Sequence, residues 1–161
     1  MLKENEKEQF RKSVQMIWII WVAMLGTLAF YFMIVRFFGN EIKSNITYDI
    51  PLKKLKDILI VASAIGVALA FFLRRFMLAV KPQKSSGFEL SQVAGKYASA
   101  VLVSLAISET VAIFGLILYL LGEDTTTFHI FIVLSAMAMV YYRPKTEEIK
   151  RLVLSLQTGN R

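Results

Sequence analysis

Hydrophobic and polar positions fall along this chain in long blocks, not at the two-residue period of a half-buried strand. Four apolar blocks, at about 14–38, 58–80, 97–121 and 126–142, are divided by shorter polar stretches. A run of about 20 apolar residues is what a helix needs to cross a hydrocarbon core of roughly 30 Å. Within lipid, a helix satisfies every backbone hydrogen bond internally. The pattern therefore predicts four transmembrane helices, of which the fourth is the shortest and only just long enough; a re-entrant or interfacial segment is the alternative for it.

The polar stretches carry their own signals. Pro51 is the main breaker of a first loop running from Gly39 to Lys56. Pro82, Ser85, Ser86 and Gly87 mark the second connection, and Ser86 with Glu89 has capping-box spacing, which predicts a helix that starts there and runs into the third block. After Pro144, Ile149, Leu152, Val153 and Leu156 share one stripe, with Glu147, Lys150 and Arg151 off it. That stripe predicts a short amphipathic helix lying on the membrane surface. The expected fold is all-α: a single domain, an integral membrane four-helix bundle with a short cytoplasmic interfacial C-terminal helix.

Composition agrees, with 161 residues that are 56% hydrophobic and a mean hydropathy of +0.54. The net charge of +7 raises nucleic acid as a partner, but the basic residues sit at the ends of apolar blocks, where they set topology and touch anionic lipid. No nucleic-acid role is expected; the lipid bilayer is the expected partner, with further copies of the chain or subunits of a membrane complex beside it. If all four blocks span, fourteen Lys and Arg residues fall on one side and five on the other. That bias places both termini in the cytoplasm, for a multi-pass protein of the cell (inner) membrane. The charged first twelve residues lead into a block too long for a cleaved leader, so the first helix is expected to be retained. Trp18, Trp21, Tyr31, Phe32, Phe37 and Phe38 lie near block ends, as in interfacial belts. Arg74 and Arg75 are expected to reach out to the headgroups.

Few residues carry chemistry. The chain has no Cys and one His, His129, so it offers no thiol nucleophile, no disulfide and no histidine metal cluster. No nucleophile–base pair, phosphate loop or metal spacing is apparent. The expectation is no enzyme, no catalytic residue, no metal and no cofactor.

Glu109 stands apart. It is an acid within the apolar block from Tyr97 to Leu121, and a carboxylate at bilayer depth costs roughly 2.5–3.5 kcal/mol on insertion scales. Desolvation disfavours its charged form, so a neutral acid that binds H+ or Na+ is one reading. The other is a hydrogen-bonded carboxyl that serves helix assembly only, partnered by Ser108 or by a hydroxyl on another helix. Small residues surround it: Ser104, Ser108 and Ala112 recur every four residues, with Ala106 and Gly115 nearby, and Ala62, Gly66 and Ala70 do the same in the second block. Such stripes let membrane helices approach closely. The candidate ion site is thus Glu109 with Ser108, Ala106 and Ala112. The candidate packing residues are Ala62, Gly66, Ala70, Ser104 and Gly115, and Met137 and Met139 are expected to fill gaps.

Leu105, Ala106, Glu109, Ala112, Phe114, Gly115 and Leu116, within the 20 residues from Leu102 to Leu121, resemble the carboxylate helix of the ATP synthase c subunit, the rotary proteolipid. In that family the glutamate binds the translocated proton or sodium ion. The resemblance implies that Glu109 is an ion-binding carboxylate in proton or ion transport. An accessory or structural subunit of a larger membrane complex is the alternative.

Overall fold

The structure is a computed structural model and describes residues 4–44, 51–79, 90–122, 124–145 and 147–149. It consists of four helices, α1 (Glu4–Ser44), α2 (Leu52–Ala79), α3 (Leu90–Leu120) and α4 (Thr125–Tyr141). Within them, Arg11–Gly39, Leu52–Ala79 and Val93–Leu120 are long and apolar enough to cross a membrane.

The helices differ from the apolar blocks at their ends. At 41 residues, α1 begins ten positions before the first block and continues past it. The reason is local: Glu, Gln, Lys and Arg are good helix formers, so the polar flanks extend the helix that the apolar block nucleates. The first loop is correspondingly shorter than Gly39–Lys56. α2 starts immediately after Pro51, whose carbonyl accepts from the amides of Lys54 and Leu55. α4 is the exception, with 17 residues, or about 26 Å of rise. The proposed cap at Ser86 and the outer part of the C-terminal stripe (Leu152, Val153 and Leu156) lie outside the described residues.

α3 is the hub. It packs along α1, α2 and α4, whereas α1 and α4 touch each other less. The contacts fix the directions. Ile17 shares a core cluster with Tyr97, and a side chain at Gly39 would run into the Tyr119 ring, so α1 and α3 are parallel. Lys56 meets Thr127 and Arg74 meets Tyr142, so α2 and α4 are parallel to each other. A tight turn reverses the chain between α3 and α4. Gly122 sits there at φ 115°, a conformation costly for any residue with a Cβ.

The α3–α4 contact is buried and close. Ser104, Ser108 and Ala112 are buried, and Ser135 of α4 donates to the Ser108 carbonyl at 2.7 Å. A Cβ at Gly115 would overlap Phe131. α2 meets α3 less tightly, through a fully buried Ala70 and a Gly66 where an added Cβ would lie 3.6 Å from Ile107. The outward surfaces of α1 and α2 are apolar, with Ile19, Phe37, Ile58, Ile65 and Phe72 well exposed.

Candidate functional site: a carboxyl between two helices

Glu109 lies near the middle of the Val93–Leu120 segment and turns toward α1. Its Oε1 accepts hydrogen bonds from Thr27 Oγ1 at 2.8 Å and Tyr31 Oη at 3.1 Å. Thr27 and Tyr31 are one turn apart on α1, so i,i+4 geometry aims both hydroxyls at one point. The site is half-buried, and no cation pairs with Glu109 among the described residues.

Hydrogens in this cluster can be counted. Thr27 Oγ1 also lies 2.7 Å from the Met24 carbonyl, to which it donates. A threonine hydroxyl has one hydrogen and two lone pairs. With Glu109 ionised, that single hydrogen must be shared between two acceptors. With Glu109 protonated, the acid donates to Thr27, Thr27 donates to Met24, and Tyr31 donates to the acid. Each contact then has its own hydrogen.

The other residues singled out from sequence divide between roles. Ser108 does not face the carboxyl. Its hydroxyl donates to the Ser104 carbonyl at 2.8 Å, and its own carbonyl serves Ser135. Ala112 is buried in the main core cluster, and Ala106 is exposed. Glu109 is therefore brought together with Thr27 and Tyr31, and Ser108 is turned away from it. The reason is the helical turn: position 108 points to α4 and position 109 to α1. Among the packing candidates, Ser104, Ala70 and Gly115 are buried, while Ala62 and Gly66 are partly so. Met139 is buried as expected, but Met137 is exposed.

Thr27 and Tyr31 are the site residues that sequence reasoning missed. Tyr31 reads as a belt aromatic because it is close to the end of its apolar block. The signal that would have found the pair is two hydroxyls four residues apart in an otherwise apolar stretch.

A second polar cluster ties the other end of the bundle. Arg74 is buried and does not reach outward. Its Nη1 donates to the Tyr142 carbonyl at 2.7 Å, and its Nη2 pairs with Glu148 Oε2 at 2.7 Å. Tyr142 is the C-cap of α4, so the guanidinium satisfies a carbonyl that the helix end leaves open. Tyr97 Oη accepts from the Lys145 amide at 2.7 Å and donates to the Lys145 carbonyl at 3.2 Å. Ile149 is buried against this cluster, so the first residue of the tail stripe packs on protein. Arg75, by contrast, is exposed. Trp21 likewise turns inward, donating to the Met139 carbonyl at 2.9 Å. His129 is exposed and stacks near Phe32, with ring centroids 5.6 Å apart.

Compared with known proteins, the chain matches no family model, no curated protein and no solved structure. Among the described residues, no group of three or more His, Cys, Asp or Glu is placed to hold a metal ion.

Proposed function

We propose that this chain is a small integral protein of the cell (inner) membrane, with both termini cytoplasmic, in which Glu109 binds and releases a proton between α1 and α3. The observation that carries the reading is the convergence of Thr27 and Tyr31 on a lone carboxyl near the middle of two long apolar helices. Carboxyls at that depth commonly mark ion or proton paths. The hydrogen count favours a proton over a metal cation. With Glu109 protonated every contact has its own hydrogen, and Tyr31 turns a hydrogen, not a lone pair, toward the carboxyl; hard cations such as Ca2+ and Mg2+ gather six or more oxygens. Sodium is the alternative cargo. The motif shared with the ATP synthase c subunit supports the same assignment for Glu109. Three long apolar helices with exposed apolar faces support the membrane setting, and the fourteen-to-five bias of basic residues supports its orientation. The protein has no catalytic role in this reading.

The second reading is an accessory or structural subunit, alone as a homo-oligomer or within a larger complex. One observation favours it: both hydroxyls come from α1, so the cluster is also a link between α1 and α3. Labelling with a hydrophobic carbodiimide separates the two. A proton-binding Glu109 is labelled in preference to Asp124, labelling slows at high pH, and Glu109→Gln removes both labelling and proton flux in vesicles. Sodium protection would change the ion. Labelling indifferent to pH and sodium, with Glu109→Gln silent in flux, would leave the structural reading.

A further inference from the structure

α2 and α4 run side by side along α3 without interlocking. They meet through polar contacts: Lys56 Nζ donates to Thr127 Oγ1 at 2.8 Å, Arg74 donates to the Tyr142 carbonyl at 2.7 Å, and Tyr142 Oη donates to the Val67 carbonyl at 3.1 Å. Between these ties lies an apolar groove of about 790 Å³, walled by Ala64 and Phe71 of α2 and by Ile130 and Leu134 of α4, with Val111 of α3 as its floor. Ser63 also faces it, but its hydroxyl is spent on the Leu59 carbonyl at 2.7 Å. The groove is long, apolar and open to the side that faces hydrocarbon.

Its Arg74 end is basic. A smaller pocket of about 270 Å³ adjoins it there, sharing Phe71, Tyr141 and Tyr142 with the groove and adding Arg74, Arg75, Lys145 and Glu148. Arg74 and Glu148 neutralise each other at 2.7 Å. Two positive charges remain: Arg75, which makes no ion pair among the described residues, and Lys145, whose Nζ is held 5.3 Å from the centre of the Tyr141 ring. An apolar slot that ends in two cations without a carboxylate partner among the described residues is complementary in shape and charge to an anionic phospholipid. Basic pockets between membrane helices recognise anionic headgroups in this way.

We propose that the α2–α4 groove and the basic pocket at its end bind one anionic glycerophospholipid, with acyl chain in the groove and phosphate between Arg75 and Lys145. The site rests on the membrane setting proposed above but not on the role of Glu109. A second copy of the chain fits less well. In parallel orientation it would bring the basic residues of its own N-terminal tail and C-terminal segment beside Arg75 and Lys145, and like charges at close range oppose docking.

The test uses the full chain in a neutral detergent, with native mass spectrometry as the readout. Phosphatidylglycerol and phosphatidylcholine with identical acyl chains are titrated separately, and inorganic phosphate is the third arm. The expected result is one phosphatidylglycerol per chain, retained with about a thirtyfold preference over phosphatidylcholine, given two basic residues at the headgroup. The double variant R75Q/K145Q should lose the preference while keeping the fold, since both side chains are exposed. Ala64→Phe should weaken retention of both lipids by filling the groove, and Glu109→Gln should change neither. Equal retention of the two lipids by the parent chain would overturn the proposal, as would a preference that survives R75Q/K145Q. Binding of phosphate as tight as that of phosphatidylglycerol would reduce the site to an ion pocket and overturn the acyl-chain assignment. A dimer abolished by Ala64→Phe would assign the groove to a second copy instead.

Discussion

Toward α4, α3 presents Ser104, Ser108, Ala112 and Gly115; toward α1, one position further round, it presents Glu109. The first contact is made of small residues whose hydroxyls return to their own helix backbone, Ser104 to Ala100 and Ser108 to Ser104. Close backbone approach and van der Waals contact hold it, the packing mode that small-residue stripes give. The second includes side-chain hydrogen bonds from Thr27 and Tyr31 to Glu109. The difference teaches what each contact tolerates. A steric seam fails when atoms are added, whereas a hydrogen-bonded link fails when polar atoms are removed.

The largest expected effect comes from adding atoms to the seam. Gly115→Leu places a branched side chain where Phe131 already sits, and overpacking of this kind costs about 1–3 kcal/mol or more. Unfolding of the detergent-solubilised chain should show the loss, with Gly115→Ala intermediate. Retention of parent stability by Gly115→Leu would mean that α3 and α4 are not locked here. On the polar side, Tyr31→Phe and Thr27→Val should each cost about 0.6 kcal/mol, the typical value of a membrane interhelical hydrogen bond. If Glu109 is the proton site, these two variants should also shift the pH profile of carbodiimide labelling. The same profile in both would assign the hydroxyls to packing alone.

The smallest effect is the control. Gly66 faces α3 with room to spare, since a Cβ there would lie at ordinary contact distance from Ile107. Gly66→Ala should be neutral, or stabilise by up to about 1 kcal/mol through helix propensity. A marked loss would show that the α2–α3 contact is a seam as tight as that of α4.

A pH test addresses the α3–α4 turn rather than the site. Asp124 caps α4, accepting from the Thr127 amide at 3.1 Å. The Thr127 hydroxyl, followed by this amide, holds its carboxyl below the ordinary value of 3.8. A carboxyl lowered on folding adds stability that is present above the unfolded value and lost as pH falls through the folded one. Acid titration below pH 3.8 should therefore loosen the start of α4, and Asp124→Asn, which keeps a capping oxygen, should flatten that dependence. An unchanged acid profile in the variant would remove the cap from the account.

The helical character, the three long apolar helices and the small-residue stripe of α3 were legible in the sequence, because block length and four-residue spacing are local properties; that α3 is the hub was not. The partners of Glu109 were not. A single helix turn decides whether position 108 or 109 faces a given neighbour, and only the arrangement of α1 and α4 around α3 says which neighbour that is. Arg74 misled for a related reason. An arginine near a block end ordinarily extends to water, but Glu148 and the open Tyr142 carbonyl, more than sixty positions away, give it better partners inside. The ends of α1 were obscured by flanking residues that are polar yet favour helix.

The shortness of α4 has a counterpart in α2. Its 17 residues rise about 26 Å, and the apolar stretch of α2 between Asp57 and Arg74, 16 residues long, rises about 24 Å. Tied to α2 near both ends, through Lys56–Thr127 and Arg74–Tyr142, α4 cannot slide or tilt independently of it. In the bilayer setting proposed above, this flank would suit a hydrocarbon core thinner than the usual ~30 Å. Mismatch costs a fraction of a kcal/mol per Å, enough to gather shorter-chained lipids along α2 and α4.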